Sequence, residues 1–376
     1  MAEQEGPRPR IAVILPPREG FGPQSAGAIA LLQARLTEEP GTGEEAPFAV
    51  TILGAQASGV LFARPYRAVR APWWMVGGDA RYAAGVRRVL RELRPALIEV
   101  HNRPDLARRL AQRFPAQRIA LFLHNDPCGM RGAKTVGERA DLSGKLGRIV
   151  CVSAYLASRW MEGLAASVPA PSVLPNCLDL ARLPQPSPPE ARQSRIIFAG
   201  RMVADKGADS FVSACASALP RLPGWQAVMI GADRFRADSP ETPFTQALRP
   251  RAEAAGITLL GYRDHASVMA ELSRAAIAVV PSRWQEPFGL AALEAMAGGA
   301  ALITTRQGGL AELTEGVSAV IEPGDGAGLA EVIVSLARNP QERARLARMG
   351  LERARAYDLP AARRRLDGLR MELLGA

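Results

Sequence analysis

Short apolar runs alternate with amphipathic segments along almost the whole chain. Five runs in the first half predict strands, at 11–15, 49–53, 96–100, 119–124 and 149–153. Segments of helical periodicity separate them, at 26–36, 80–93, 104–114 and 154–162. This alternation is typical of parallel sheets that are covered by helices on both faces. The pattern therefore predicts an α/β fold.

A proline-rich segment, LPQPSPPEARQS at 183–194, interrupts the alternation and predicts an interdomain linker. Beyond it, further strands are predicted at 195–199, 227–231, 257–260, 277–281, 301–305 and 319–321. The helices between and after them are predicted at 208–218, 243–255, 265–274, 289–297, 310–314 and 328–338. An Arg-rich helical stretch, 341–374, closes the chain and is broken by YDLP at 357–360.

Two doubly wound domains follow from this rhythm, one at 1–182 and one at 195–355. Residues 356–376 are expected to form a helix that packs back on the first domain. Ligands of open parallel sheets bind at the carboxyl ends of the strands. Two such domains facing each other across a cleft would place both sets of strand ends in one site, so the residues just after strands are the functional candidates.

Composition narrows the classes of protein. At 376 residues and 48% hydrophobic, the chain can bury two cores, which excludes a disordered protein. The four cysteines are far apart in sequence and predict reduced thiols in a cytoplasmic protein. The longest apolar runs are too short for a signal peptide or a membrane-spanning helix, so any membrane contact is expected to be peripheral.

The net charge of +10 is concentrated in one segment. Residues 61–118 hold 13 arginines and four acidic residues. Such a basic segment is compatible with nucleic acid, an anionic membrane surface or an anionic substrate.

The first predicted strand ends in a glycine-rich turn, PPREGFGPQSAG at 16–27. A turn of this kind at a helix N-terminus offers backbone N–H groups to an anion, and a flexible connection is the alternative. It is not a dinucleotide fingerprint, because Ser25 stands where the G-x-G-x-x-G motif needs its third glycine.

A second turn, GRMVADKG at 200–207, follows the first strand of the second domain. Arg201 and Lys206 are two cations at the end of a strand, which suits a pyrophosphate, although a solvated loop is the alternative. Lys206 is one of only three lysines in the chain.

The string PSRWQEPFGLAALEAMA at 281–297 is the most informative. Glu286 lies in the turn after a strand, and residues 288–290 present free N–H groups at the start of a helix. Glu294 lies within that apolar helix and needs a polar partner. The hydroxyls of a polyol ligand would satisfy both glutamates. Another strand-to-helix turn with paired glycines follows, TTRQGGLAE at 304–312.

Taken together, GRMVADKG, PSRWQEPFGLAALEAMAGG and TTRQGGLAE resemble the nucleotide-sugar half of the retaining glycosyltransferases of family four. Weaker matches lie in the first half, at LFLHNDP (121–127), VCVSAYLASRW (150–160) and LPNCLDL (174–180). The resemblance implies the GT-B fold, made of two Rossmann-like domains.

The resemblance also implies the roles of single residues. Arg201 and Lys206 would neutralise the donor diphosphate, and Glu286 would contact the hydroxyls of the donor sugar. Glu294 would accept hydrogen bonds from the ribose, and His124 would face the reacting sugar across the cleft. The other implied donor contacts are Gly22, Gly200, Tyr262, Arg263, Phe288, Gly289 and Leu290.

His101 occupies a strand end like that of His124 and is the competing candidate, whereas His265 is expected to cap or begin a surface helix. Gly22 is the best match to the glycine pair that the family holds near the donor phosphate. No His spacing and no D-x-D pair indicates a metal site, so the sequence predicts metal-independent transfer without a cofactor, from a UDP- or GDP-type donor.

The predicted function is therefore retaining sugar transfer to a glycan, lipid-linked or small-molecule acceptor, in the biosynthesis of cell-surface polysaccharide or lipopolysaccharide. A GT-B sugar-nucleotide epimerase is the closest alternative, and a basic nucleic-acid-binding protein is an alternative from another class. The basic segment 61–118 favours a peripheral enzyme on the cytoplasmic face of the membrane.

Overall fold

Two parallel sheets organise the chain. The computed structural model describes residues 8–17, 19–23, 26–38, 46–55, 59–70, 78–234 and 238–375. The chain divides into a first unit, residues 1–177 with 359–376, and a second unit, residues 178–358.

The first unit is a seven-stranded sheet in the order β3-β2-β1-β4-β5-β6-β7, with every neighbouring pair parallel. Its strands are β1 (Arg10–Ile14), β2 (Ala49–Gly54), β3 (Tyr66–Ala68), β4 (Leu97–His101), β5 (Arg118–Leu123), β6 (Arg148–Cys151) and β7 (Ser172–Val173). The helices of this part of the chain are α1 (Ala28–Leu36), α2 (Gly78–Leu93), α3 (Pro104–Arg113), α4 (Val136–Lys145) and α5 (Ala154–Met161).

The second unit is a six-stranded parallel sheet in the order β10-β9-β8-β11-β12-β13. Its strands are β8 (Gln193–Ala199), β9 (Gln226–Ile230), β10 (Ile257–Gly261), β11 (Ala275–Val280), β12 (Ala301–Thr304) and β13 (Ala319–Val320). Its helices are α6 (Ala208–Ala218), α7 (Pro243–Ala254), α8 (His265–Leu272), α9 (Leu290–Ala297), α10 (Leu310–Thr314), α11 (Gly326–Arg338) and α12 (Pro340–Arg355).

Both sheets have the doubly wound strand order, in which the direction of winding reverses beside the first strand of the unit. In the first unit β1 lies between β2 and β4, and in the second unit β8 lies between β9 and β11. The carboxyl ends of the strands at this switch point are the usual ligand site of such sheets. The loops after β1 and β4, and those after β8 and β11, are therefore the candidate ligand sites.

The last helix, α13 (Leu359–Leu374), belongs to the first unit, where Leu366 joins the buried core. Arg370 on this helix makes two hydrogen bonds to Glu99 of β4, at 2.8 and 3.0 Å. Both side chains are almost completely buried. Burying two charges is favourable only where each has its partner, so this pair ties α13 to the centre of the first sheet.

The predicted linker, residues 183–194, lies within the second unit rather than between the two units. Its backbone is held there by hydrogen bonds, because the Ser187 N–H donates to the Ser273 carbonyl at 2.9 Å. Arg192 donates to the Ala275 and Gly298 carbonyls at 2.6 and 2.7 Å. Proline content marks where regular structure stops, but not where one folded unit ends.

Three elements lie outside the sequence-based prediction. The strands β3 and β7 are three and two residues long, and each contains a polar residue, so neither forms an apolar run. Helix α4 is largely polar, but a capping box of Thr135 and Glu138 marks its start. That T-x-x-E signal was available in the sequence.

The basic segment lies largely on the surface. Of its 13 arginines, none is buried, and most belong to α2 and α3. Among the residues that the structure describes, no helix combines the length and apolarity needed to cross a membrane.

Candidate functional site

The loops that follow β8 and β11 are joined by backbone hydrogen bonds at the switch point of the second unit. The N–H groups of Arg283 and Trp284 both donate to the Asp205 carbonyl, at 2.8 and 3.0 Å. Gly207 ends the first loop with φ +70°, and a Cβ atom there would lie 2.1 Å from the Pro281 carbonyl oxygen. Only glycine allows this close approach, so the two loops form one structure.

Lys206 and Glu286 form an ion pair between these loops. The Lys206 Nζ lies 2.5 Å from Glu286 Oε1, and the Ser282 hydroxyl donates to the same oxygen at 2.7 Å. Ser282 is fully buried, whereas the side chains of Lys206 and Glu286 are 25% and 9% exposed. The carboxylate is therefore held in one orientation with its ammonium partner at the surface. The sequence analysis assigns no role to Ser282, although this residue lies four positions before Glu286 in the same motif.

The paired glycines of the third motif pack against Glu286. Its backbone forms a parallel bridge with Gly308, and the Gly309 N–H donates to the Glu286 carbonyl at 2.7 Å. Gly308 has φ +60°, and a Cβ atom there would lie 2.4 Å from that carbonyl oxygen. The three motifs that are separated in the sequence thus meet around one carboxylate.

Three helices begin at these motifs, and each has a glycine at its N-cap without any side-chain cap. They are α6 at Gly207, α9 at Gly289 and α10 at Gly309. The other four helices described in this unit are capped by the side chains of Thr242, Asp264, Asp325 and Asn339. The first N–H groups of a helix have no intrahelical acceptor and carry partial positive charge. The starts of α6 and α9 are therefore suited to an anion, whereas at the start of α10 the Gly309 N–H already donates to the Glu286 carbonyl.

The strand ends beside these helix starts are also packed tightly at glycines. Gly231 has φ +142°, and a Cβ atom there would lie 1.8 Å from the Gly200 carbonyl oxygen. The Gly231 N–H donates to the Gly261 carbonyl at 2.9 Å. Gly200 and Tyr262 therefore follow strands whose carboxyl ends are close together.

Arg201 is half-buried and forms no ion pair with any other described residue. Arg263 is exposed and donates to the carbonyl of the neighbouring Tyr262 at 3.0 Å. Lys206 is neutralised by Glu286, so Arg201 is the uncompensated cation of the two that the sequence singles out.

Glu294 also has a partner within the protein. The Nε2 atom of His265, the first residue of α8, lies 3.0 Å from Glu294 Oε1. The structure agrees with the prediction that His265 begins a helix. It adds a contact that the sequence analysis missed, because nothing in the local pattern connects the two residues.

In the first unit, His124 follows β5 and is paired with His101 at the end of β4. The distance from His101 Nδ1 to His124 Nε2 is 2.9 Å, and Asn102 Oδ1 accepts the His124 backbone N–H at 2.8 Å. Burial lowers the pKa of His124 to about 4. Burial, the neighbouring His124 and Arg370 hold the pKa of His101 well below its usual value. Both rings are therefore neutral near pH 7, and the two residues that competed in the sequence analysis form one hydrogen-bonded pair.

The glycine-rich turn of the first unit does not leave its helix start open. Glu19 Oε2 accepts the Ala30 N–H of α1 at 2.9 Å, and a Cβ atom on Gly27 would lie 2.8 Å from Glu19 Oε1. Burial raises the pKa of Glu19, although the Ala30 N–H and the charge of Arg103 oppose this shift. The expected anion site at α1 is thus occupied by a carboxyl group of the chain itself. Ser25 of this turn lies outside the described residues, and Gly22 packs against the Val60 carbonyl.

The predicted site residues divide between the two units. Ten lie at carboxyl ends of strands or in the α9 region of the second unit, namely Gly200, Arg201, Lys206, Tyr262, Arg263, Glu286, Phe288, Gly289, Leu290 and Glu294. His124 and Gly22 belong to the first unit. Within the described ranges, no three His, Cys, Asp or Glu side chains are grouped so that they could hold a metal ion.

The sequence has clear relatives. Residues 193–339 match the family model described as Glycosyl transferases group 1. The chain is 30% identical over 307 residues to a glycogen synthase of Mycobacterium tuberculosis, covering 74% of this chain and 70% of the relative. It is 36% identical over 121 residues to the lipopolysaccharide core biosynthesis mannosyltransferase LpsB of Rhizobium meliloti, covering 32% and 33% of the two chains.

Solved structures share the fold over almost the full length. A sucrose-phosphate synthase from Thermosynechococcus elongatus has a TM-score of 0.76 at 20% identity, with 98% of this chain and 100% of that chain covered. Anabaena HepE in complex with UDP and glucose has a TM-score of 0.75 at 17% identity, with 96% and 99% covered. Two Rossmann-like units, the three motifs and these relatives agree: the chain belongs to the group 1 glycosyltransferases, of the family-four type with the GT-B fold.

Proposed function

We propose that this glycosyltransferase moves a sugar from a nucleoside diphosphate sugar to an acceptor hydroxyl with retention of anomeric configuration. One observation carries the donor assignment: α6 and α9, which have no side-chain cap, begin beside the Lys206–Glu286 pair. This arrangement combines donors for phosphate oxygens with a carboxylate for sugar hydroxyls. The retaining course is the one implied by the family resemblance.

The charges suit a leaving diphosphate. Arg201 is free to bind it bidentately, and Lys206 has three N–H donors, so its contact with Glu286 leaves donors for a phosphate. A carboxylate has about four lone-pair sites, so Glu286 can accept hydrogen bonds from sugar hydroxyls while it holds Lys206 and Ser282. The N–H groups of Phe288, Gly289 and Leu290 would contact the sugar and the distal phosphate.

In the proposed reaction the bond between the anomeric carbon and the phosphate oxygen breaks, and the acceptor oxygen bonds to the same face of that carbon. The proton of the acceptor hydroxyl passes to the departing phosphate, so the products are a glycoside and a nucleoside diphosphate. The protein stabilises the charge that develops on the phosphate through fixed donors. Neutral His124 would be a hydrogen-bonding group on the acceptor side rather than a cation.

The donor assignment is testable by titration calorimetry with a panel of UDP- and GDP-sugars. We expect micromolar to millimolar binding of one class, and E286Q should weaken the sugar nucleotide more than the free nucleoside diphosphate. Q285A alters the adjacent, exposed side chain and is the matched control. Equal weakening of both ligands by E286Q would contradict a contact between Glu286 and the sugar.

Product analysis with a labelled donor separates transfer from the epimerase alternative. A transferase produces a glycoside of the acceptor with unchanged anomeric configuration, whereas an epimerase returns a different sugar.

HepE was solved with UDP and glucose, and relatives are described as a glycogen synthase and a lipopolysaccharide mannosyltransferase. UDP-glucose and GDP-mannose are therefore the first donors to test.

The reaction is proposed to need no metal, which assays with and without EDTA will check.

The acceptor is proposed to be anionic or lipid-linked and to lie at the cytoplasmic membrane face. Supporting this, a groove of about 320 Å³ between α2 and α3 is lined by Arg87, Arg109 and Arg113. Each basic side chain near an anionic membrane contributes about 1 kcal/mol of attraction. Sedimentation with anionic vesicles should exceed that with neutral vesicles, and R87E/R113E should remove the excess. Equal binding to both kinds of vesicle would contradict the proposal.

A further inference from the structure

The position of His265 beside Glu294 is set by the packing of two helices. Asp264 caps α8 by accepting the Ser267 N–H at 2.8 Å, which fixes the helix start just before His265. The other end of α8 is pressed against the end of α9, where a Cβ atom on Gly298 would lie 2.8 Å from Leu272 Cβ. The hydrogen bond between His265 and Glu294 thus connects helices whose separation is already determined.

The polar contact is isolated on an apolar helix. The flanking Leu293 and Ala295 are buried, while the Glu294 side chain is 20% exposed. His265 is the one hydrogen-bond partner of the Glu294 carboxylate within the described part of the chain. A glutamate side chain loses rotamer freedom when a ligand immobilises it, and this loss opposes binding. A partner that immobilises it before a ligand arrives removes part of that cost from binding.

We infer that His265 is a positioning residue of the donor site, which orients the Glu294 carboxylate to accept hydrogen bonds from the ribose hydroxyls of the nucleotide. The inference rests on the proposed role of Glu294. The contact with His265 occupies one lone pair of Oε1, and the other lone pairs of the carboxylate suffice for two hydroxyl groups. His265 itself does not touch the reacting atoms in this proposal.

An alternative role for His265, competition with the ligand, predicts the opposite change in nucleotide affinity. If the imidazole competed with the ribose for Glu294, removing it would strengthen nucleotide binding. The His265 side chain is 40% exposed, so its truncation leaves no buried cavity, and the variant is expected to fold.

The test compares a ribonucleotide with its 2′-deoxy counterpart by titration calorimetry. The probe is UDP or GDP, whichever binds the wild-type protein more tightly, together with 2′-deoxy-UDP or 2′-deoxy-GDP. We expect the wild type to prefer the ribonucleotide about tenfold, because one hydrogen bond to a charged group is lost with the hydroxyl. H265A should lose most of this preference by weakening ribonucleotide binding alone, and H265Q, whose amide can donate to Glu294, should recover part of it.

Kinetics supply a second readout. H265A should raise the donor KM several-fold and leave kcat near the wild-type value, whereas a merely destabilised protein would lose active sites and hence kcat. R274A removes an exposed side chain just beyond the other end of α8 and should leave both parameters unchanged.

E294Q separates the two levels of the proposal. If E294Q keeps the full preference for the ribonucleotide, Glu294 does not bind the ribose and its proposed role is wrong. If E294Q loses the preference while H265A retains it, Glu294 keeps its role and the inference about His265 is overturned. Tighter ribonucleotide binding by H265A would overturn it as well.

Discussion

Each unit contains an ion pair on or beside its sheet, and the two pairs differ in exposure. Arg370 and Glu99 in the first unit are 3% and 1% exposed, whereas Lys206 and Glu286 in the second are 25% and 9% exposed. The first pair is enclosed by α13 and contributes to the fold. The second lies at a switch point, where the proposed donor would contact it.

The helix starts at the two switch points also differ, in whether a side chain covers them. In the second unit the glycine starts of α6 and α9 have no side-chain cap, while in the first unit Glu19 occupies the start of α1. Both sheets therefore place a helix start where an anion could bind. The side chains around each start determine whether its N–H groups are available. A shared fold does not imply a shared function.

The largest expected effect is on the stability of the first unit. R370A leaves the Glu99 carboxylate buried without its partner, which should lower the free energy of unfolding by about 3–5 kcal/mol. Calorimetric unfolding will measure this loss. R355A, which breaks an exposed pair with Glu352, is the control and should cost less than about 1 kcal/mol. A loss equally small in R370A would remove the contrast between enclosed and exposed pairs.

Removing Lys206, the cation of the pair in the second unit, should lower activity rather than stability. K206A removes a cation from the proposed diphosphate site and should lower kcat about 10²–10³-fold with little change in melting temperature. The control is K145A, because Lys145 pairs with Asp141 on the surface of the first unit. Near-normal turnover by K206A would show that the Lys206–Glu286 pair is structural, like Arg370–Glu99.

The pair of His101 and His124 predicts that the stability of the first unit depends on pH. An unfolded histidine has a pKa near 6.5, whereas the pKa of His124 in the fold is about 4. Between these pH values the unfolded chain binds a proton that the folded chain does not, so stability falls as the pH decreases from about 6.5 to about 4. The slope is at most about 1.4 kcal/mol per pH unit for each histidine.

Calorimetry from pH 4 to pH 8 will test this, with the double variant H101N/H124N as the comparison. The double variant should show a shallower loss of stability over the same pH range. An unchanged slope would mean that other groups cause the acid sensitivity.

The smallest expected effect concerns the start of α1, where the Glu19 carboxyl occupies the place of an anion. Removing this side chain tests whether an anion can then bind there. E19A removes the acceptor of the Ala30 N–H, which should cost about 1 kcal/mol as the loss of a helix cap. Sulfate should then stabilise E19A more than it stabilises the wild type. E92A, which alters an exposed residue of α2, should respond to sulfate as the wild type does. Identical responses of E19A and the wild type would show that Glu19 is not what closes the site.

Much of the fold was predictable from local pattern. The predicted strands match β1 and β8 to within two residues at each end, and the break at 357–360 separates α12 from α13. The strand β7 was not predicted, because Ser172 is polar and the segment forms no apolar run, whereas the equally short β13 lies in the apolar run at 319–321. The segment predicted as a linker lies in the second unit, because hydrogen bonds from Arg192 and Ser187, which composition does not reveal, hold it there.

The motifs of the candidate site are recognisable in the sequence, but the contacts between them are not. Lys206 and Glu286 were each singled out from a motif, since glycine-rich turns after strands have a recognisable local sequence. That they neutralise each other, with Ser282 as a further donor, was not foreseen. The reverse holds for the turn at Gly20–Gly22, where the local pattern suggested an open helix start and the buried Glu19 carboxyl closes it.

The sequence by itself determined the order of strands and helices, the parallel sheets and the loops that carry the candidate residues, because periodicity, glycine and proline act over a few neighbouring positions. Only the tertiary structure decided the partners. Lys206 and Glu286 are 80 residues apart, His265 and Glu294 are 29 apart, and Glu99 and Arg370 are 271 apart. A charge selects its partner by proximity after burial, and proximity over such separations is created by packing of the sheets and helices.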